Sequence, residues 1–216
     1  MPRRVLKFVA HSKRVLNLAV DRGWLPGARY TNLRDVRDFS HLGFLDIDWQ
    51  HYSFESHLKA TKATRPHMTV ARDVESVDDL DETIRQAYAL ASYADHVAIV
   101  PKDPAMAGLI HRIPKSFLLG YSVPTKYGGT TIPPSAFKHR VHLLGGRPDE
   151  QRRLAELMPV VSVDCNRFTL DAGFGDYFDG ETFRPHPVGG YENCIVDSIS
   201  NINNLWESYE VRRGEP

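Results

Sequence analysis

Cysteine is scarce in this chain, with only Cys165 and Cys194 among 216 residues. Two isolated cysteines exclude the disulfide framework of a small secreted protein and a Cys-rich structural zinc site. An excess of one charge is missing too, since 27 Lys and Arg balance 27 Asp and Glu. That balance excludes a generally basic nucleic-acid-binding surface but permits local asymmetry. No apolar run approaches the roughly 20 residues of a membrane span. The opening MPRRVLKFVAHSKR is basic, but its apolar run is too short and interrupted for a signal peptide. The expectation is a cytoplasmic protein without a membrane partner. There is no GxGxxG fingerprint, no phosphate loop, and no HExxH or HxH spacing among the ten histidines, so neither a cofactor nor a metal is expected. No repeat, low-complexity tract or linker divides the chain, and 1–216 reads as one catalytic domain.

What the sequence does have is a short apolar run that stops at an aspartate, four times over: FLDID (44–48), MTVARD (68–73), VAIVPKD (97–103) and VVSVD (160–164). Continuous Val, Ile, Leu and Phe mark strands buried on both faces, as in parallel sheets. VLKFVAH (5–11), FLLGYSV (117–123) and RVHLLGG (140–146) read as further strands. Helical patterns fall at 15–21, 54–63, 105–111, 149–158 and 194–209. The best-defined helix follows Ser76, with Ser76 as its cap, Asp79 as a capping-box acid, and Leu80, Ile84, Ala87, Tyr88 and Ala91 on one face.

Seven strands alternating with helices predict an α/β protein with a mainly parallel sheet. A compact or degenerate TIM-type (β/α) barrel fits better than an open doubly wound sheet, with the eighth strand expected at 30–33 or within 168–183. Such barrels gather catalytic groups at the carboxyl ends of their strands, so the aspartates are expected to share one rim and the protein to be an enzyme. The Gly-, aromatic- and acid-rich stretch 166–191 reads as an active-site loop.

Asp164 ends its run with Asn166 and Arg167 beside it. A carboxylate kept ionised by nearby donors can act as a nucleophile; the alternative is an Asp–Arg pair that fixes a loop. Asp46 and Asp48 fall on one side of a strand and can raise each other's pKa, so that one holds a proton. Otherwise they are the acidic outer face of a half-exposed strand. Asp73 could hydrogen-bond a polar ring, or belong to the acidic lead-in of the next helix. Gly145 and Gly146 let a ligand approach the backbone closely, whereas the Gly pair of TKYGGTT (125–131) reads as a turn. Arg3, Arg4, Lys7, Lys13 and Arg14 make the start basic, against six acids in 73–82. That start is either a binding face or a solvated surface. Asp103 acquires no chemical role.

These segments resemble the tRNA-guanine transglycosylases, barrel enzymes that exchange guanine for a 7-deazaguanine. VSVDCNRF resembles the family's nucleophile segment, HLLGGR its Gly-Gly strand end, TVARD the strand with a base-recognising aspartate, and FLDID the strand with the second catalytic aspartate. The four occur in the family's order across 44–167. The family's zinc site and the glycines after its first aspartate have no counterpart, and the chain is much shorter. The likeness is therefore to the shortened phage and bacterial relatives that look to act on DNA.

The resemblance implies Asp164 as nucleophile, Asp46 or Asp48 as proton manager, and Asp73, Gly145 and Gly146 as readers of the base, with Asn166 and Arg167 beside it. Its substrates would be a flipped or single-stranded guanine nucleotide of DNA and a free 7-deazaguanine. Arg3, Arg4, Lys13 and Arg14 would meet phosphates. A tRNA-acting enzyme, a small-molecule barrel hydrolase or lyase, and a non-catalytic nucleic-acid-binding module are the alternatives.

Overall fold

Eight parallel strands close into a barrel in a computed structural model that describes residues 4–126 and 128–211. In chain order they are β1 (Leu6–Ala10), β2 (Leu25–Arg29), β3 (Phe44–Asp46), β4 (Met68–Val70), β5 (His96–Ile99), β6 (Leu118–Ser122), β7 (Val141–Leu144) and β8 (Val160–Asp164). Each strand pairs with the next, and β8 pairs back onto β1. The barrel is thus complete rather than degenerate; VVSVD is a strand over the whole of 160–164, and the other six expected strands are present at shorter length.

The eighth strand is neither of the two segments expected. It is LPGAR, β2, immediately before Tyr30. Pro and Gly are depleted in strands, which hid it. Gly27 is nonetheless suited to the place: an added Cβ would lie 3.2 Å from the Val9 carbonyl oxygen and 3.4 Å from the Ala10 and Phe44 Cβ atoms. Within 168–183 the only strand is β9 (Asp176–Phe178), which pairs with β10 (Phe183–Pro185) outside the barrel. The stretch 166–191 is therefore folded: α5 (Arg167–Ala172), this ribbon, and the start of α6 (Tyr191–Glu207).

Alternation along the strands divides the apolar residues into two sets. Val9, Leu45, Ile99, Leu119 and Leu143 pack in one cluster with helical residues such as Leu16, Leu80, Leu90 and Ile199. Phe8, Phe44, Met68, Val70, Ala98, Val100 and Leu118 form a second cluster with no helix in it, which is the barrel interior. Fully burying a large apolar side chain stabilises by about 1.5–3 kcal/mol, so this two-sided burial fixes each strand's register. A slip of one residue would exchange the inner and outer sets.

The outer layer is economical, which is how a short chain closes the barrel. True helices follow only some strands: α1 (Lys13–Val20), α2 (Phe54–Thr64), α3 (Leu80–Ala91), α4 (Pro148–Leu154), α5 and α6. One 3₁₀ turn serves after β2 and one after β6, and two serve after β5, where the helix expected at 105–111 is replaced by 3₁₀ turns at Pro104–Gly108 and Ile110–Arg112. Ser76 caps a 3₁₀ turn ahead of α3 rather than α3 itself, accepting from the Asp78 N–H at 3.3 Å. The buried face of α3 is Leu80, Thr83, Ala87 and Leu90, rotated from the one expected, and Tyr88 lies on the surface against Phe117. Asp103 is structural: its carboxylate accepts from the Ala105 and Val77 amides, each at 2.9 Å. The 125–131 segment turns tightly, with Thr125 N–H on the Gly128 carbonyl at 2.7 Å; Tyr127 lies outside the described residues. No helix among those described is long and apolar enough to cross a membrane.

Candidate active site

Strand alternation decides which aspartates reach the mouth of the barrel. Phe44 faces inward, so Asp46, two residues on, points into the carboxyl-terminal opening. On β8, Ser162 bonds the ring of His142 at 2.9 Å. That ring lies inside the barrel, 5.9 Å from Phe8 and 5.2 Å from Phe44. Asp164 follows Ser162 by two and rises into the same opening.

Asp164 is held by backbone, not by an arginine. Its Oδ1 accepts from the Gly145 N–H at 2.9 Å. Gly145 has φ +63° and Gly146 φ +88°, a left-handed turn that glycine adopts without strain. An added Cβ on Gly146 would meet Val123 Cγ1 at 2.5 Å, so this turn is packed tightly onto the end of β6. Gln151 braces it from α4, donating to the carbonyls of Gly145 at 2.8 Å and Asp164 at 2.7 Å. Beneath the carboxylate, His142 Nε2 lies 3.7 Å from Asp164 Oδ1. Burial holds that imidazole down to about 3, and it is neutral.

The two inward carboxyls titrate far above the usual carboxylate range. Asp164 is pushed up to about 7, first by burial and then by the field of Asp46, against the pull of the Gly145 N–H. Asp46 is pushed up to about 6, first by burial. The Ile47 N–H, 2.8 Å from Asp46 Oδ1, and the positive charge of Arg29 oppose this, while Asp73 and Asp48 add repulsion. Asp164 keeps 13% of its side-chain surface exposed, so a ligand can reach it. Strand-end carboxyls tuned in this way are candidates for proton transfer and nucleophilic attack.

The other expected residues divide. Asp48 lies on the loop after β3, where its carboxylate accepts from the His51 N–H at 3.4 Å; burial, not Asp48, is the main cause of Asp46's shift. Asp73 reaches the rim, but the Lys102 ammonium sits 2.6 Å from it, so it is half of an ion pair. Asn166 is at the mouth, accepting from the Ala10 N–H at 3.0 Å. Arg167 is not beside Asp164. It pairs with Asp171 one helical turn along α5, at 2.8 Å, because a guanidinium and a carboxylate at i, i+4 are natural neighbours. The Gly145 amide is engaged by Asp164, not open toward a base.

Two cations of the basic start are engaged on the surface. Lys13 pairs with Asp38 and Arg14 with Glu192, and Arg3 lies outside the described residues. Neither cysteine is in a disulfide, and burial pushes the Cys165 thiol up to about 12.

Lys102, Arg29, His142 and Gln151 also carry this rim, and no local sequence pattern marks them. Lys102 sits in VAIVPKD, where the following aspartate drew attention; Arg29 ends the strand hidden by Pro and Gly. Trp49 is also here, 62% exposed, with the Lys102 ammonium 5.7 Å from its ring centre. A cavity of about 360 Å³ opens beside Asp46, between Ala10, Arg29, Asn32, Arg34 and Asn166. Among the described residues no three His, Cys, Asp or Glu side chains cluster as a metal site would need.

Lys102→Met should destabilise the fold at pH 7 by about 3 kcal/mol, because a buried carboxylate loses its countercharge. Burial raises the Asp73 pKa and Lys102 lowers it, so the variant's carboxyl moves further up. The deficit should therefore shrink as pH falls toward 4 and Asp73 takes up its proton. Denaturant unfolding at the two pH values measures it; an equal loss at both would show that packing, not charge, is the cause.

The model of a family of unknown function (DUF6610) matches residues 19–207. No curated protein matches the chain.

Proposed function

The chain belongs to the DUF6610 family, and we propose that it exchanges guanine in DNA for a 7-deazaguanine base through a covalent sugar–aspartate intermediate. One observation carries this reading: two carboxyls with raised pKa values, Asp164 and Asp46, point into the mouth of a closed barrel, and the charge of Asp46 acts on Asp164. A double displacement at an anomeric carbon needs such a pair, one group as nucleophile and the other to move a proton.

The singly protonated pair holds its proton mainly on Asp164, the group with the higher pKa; with that proton moved to Asp46, Asp164 attacks C1′ of the guanine nucleotide. The C1′–N9 bond breaks, its electron pair leaves with the base, and Asp46 supplies the proton that makes the departing guanine neutral. A C1′–O ester to Asp164 remains. Asp46, now a carboxylate, takes the N9 proton of an incoming 7-deazaguanine; N9 attacks C1′ and Asp164 leaves as a carboxylate. Two inversions retain configuration at C1′. The Gly145 N–H and the Gln151 brace hold Asp164 in place, and pre-set geometry of this kind lowers the barrier. The Asp73–Lys102 pair presents a carboxylate and an ammonium to a base edge. The exposed face of Trp49 offers a stacking surface.

The test is label exchange: folded protein, a guanine-containing single-stranded oligodeoxynucleotide and radiolabelled guanine, the base that such an enzyme returns to its own site. Label should enter the DNA, and unlabelled 7-deazaguanine should chase it out irreversibly. Absence of label from both DNA and RNA would sink the reading and favour a small-molecule hydrolase or lyase. Label in tRNA alone would move the reading to a tRNA enzyme.

A further inference from the structure

The cavity beside Asp46 has a composition the proposed chemistry leaves unexplained. Its wall on the β1 side carries His11, Ser12 and Asn166, and its wall on the β2 side carries Arg29, Asn32 and Arg34. Five of these six have N–H groups to offer, and the lining also holds the carboxyls of Asp35 and Asp46. Its charges are not equivalent. Arg34 is paired with Asp35 at 2.8 Å, and Asp35 also caps the start of α1 through the Lys13 N–H. Arg29 forms no ion pair among the described residues, and its positive charge acts on Asp46, its register partner on the adjacent strand. An exposed arginine at the rim of this cavity suits an anion bound next to the reacting centre. Arginine's fork matches the paired oxygens of a phosphate. The side chain of Asn166 is fixed by its bond to Ala10, which leaves its NH₂ available to the cavity.

We infer that the cavity between the ends of β1, β2 and β3 seats the phosphodiester adjoining the target nucleotide, with Arg29 as its anchoring cation. This rests on the nucleic-acid reading above and adds to it a polarity: the sugar lies over Asp46 and Asp164, and one flanking phosphate enters on the Arg29 side. The cations that meet this phosphate are then those of β2 and the turn after it.

Binding measurements test this without relying on turnover. A fluorescently labelled single-stranded oligodeoxynucleotide with one central guanine is titrated with protein over a range of salt. Arg29→Gln should lower affinity about tenfold or more and reduce the slope of log K against log salt by about 0.7, one phosphate's worth for a single strand. Arg85→Gln, on the outer surface of α3, should leave both unchanged. A series of oligonucleotides carrying one neutral methylphosphonate each should then show a single position, next to the guanine, that weakens wild-type binding but not that of Arg29→Gln. Unchanged affinity and slope in Arg29→Gln, or methylphosphonate penalties identical in the two proteins, would overturn the inference, as would a wild-type protein that does not bind the strand. Base exchange on the same samples separates the two proposals. Exchange with no Arg29 coupling removes the phosphate seat alone; coupling without exchange keeps the seat and removes the transglycosylase.

Discussion

Asp164→Asn should abolish base exchange and at the same time make the protein more stable at pH 8. The first effect follows from the loss of the only atom proposed to bond C1′, and should exceed about a thousandfold. The second follows from the direction of the pKa shift. In the folded protein Asp164 titrates at about 7, far above an unfolded carboxyl. Its contribution to stability is therefore favourable below the unfolded pKa, near 4, and is lost as pH rises through about 7. At pH 8 the fold holds a buried charge facing a second carboxylate. Asn has the same shape and can still accept from the Gly145 N–H, but it carries no charge. With about 1.4 kcal/mol for each pKa unit, the gain at pH 8 is about 2–4 kcal/mol, or about 5–10 °C in Tm for a chain of this length. Near pH 4, where both carboxyls are protonated, the variant and wild type should melt together. Thermal unfolding at the two pH values decides it: a stability change of equal size at both would mean that the Asp164 environment is not what the geometry shows.

Asp46→Asn should change the shape of the pH–rate profile as well as its height. The reactive form of the pair carries one proton, so kcat/KM for exchange in the wild type should be bell-shaped, with its maximum between about 6 and 7. Removing Asp46 takes away the proton donor, for a loss of about 10²–10⁴-fold, and the second-largest cause that raises Asp164. The remaining activity should rise through a lowered Asp164 pKa and then stay flat, with the alkaline limb gone. An alkaline limb that persists in Asp46→Asn would assign the proton to another group. Asp48→Asn should keep the bell, since Asp48 bonds its own loop and is the smallest of the causes acting on Asp46.

Much of the site could be read from the sequence because strand ends are written in it. VVSVD and FLDID each stop at the carboxylate that the barrel places in its mouth, and seven of eight strands announce themselves by apolar continuity. The eighth did not, because LPGAR has almost no strand propensity. It is held by pairing with both neighbours and by packing that only a glycine fits. Arg29 was lost with it. Arg167 was misplaced for the opposite reason: its sequence neighbour Asp164 suggested a pair, whereas the helix starting at Arg167 offers Asp171 at i, i+4.

By itself, then, the sequence determined that this protein is a parallel α/β barrel and that Asp46 and Asp164 sit at strand ends, since buried apolar runs and their terminators are local patterns. Only the tertiary structure decided that the charge of Asp46 acts on Asp164, that Gly145 rather than Arg167 holds Asp164, that Asp73 is paired with Lys102, and that Arg29 lines a cavity beside Asp46. Those are relations between strands distant in the chain. Their pKa shifts arise from burial and through-space charge, which exist only once the barrel has closed.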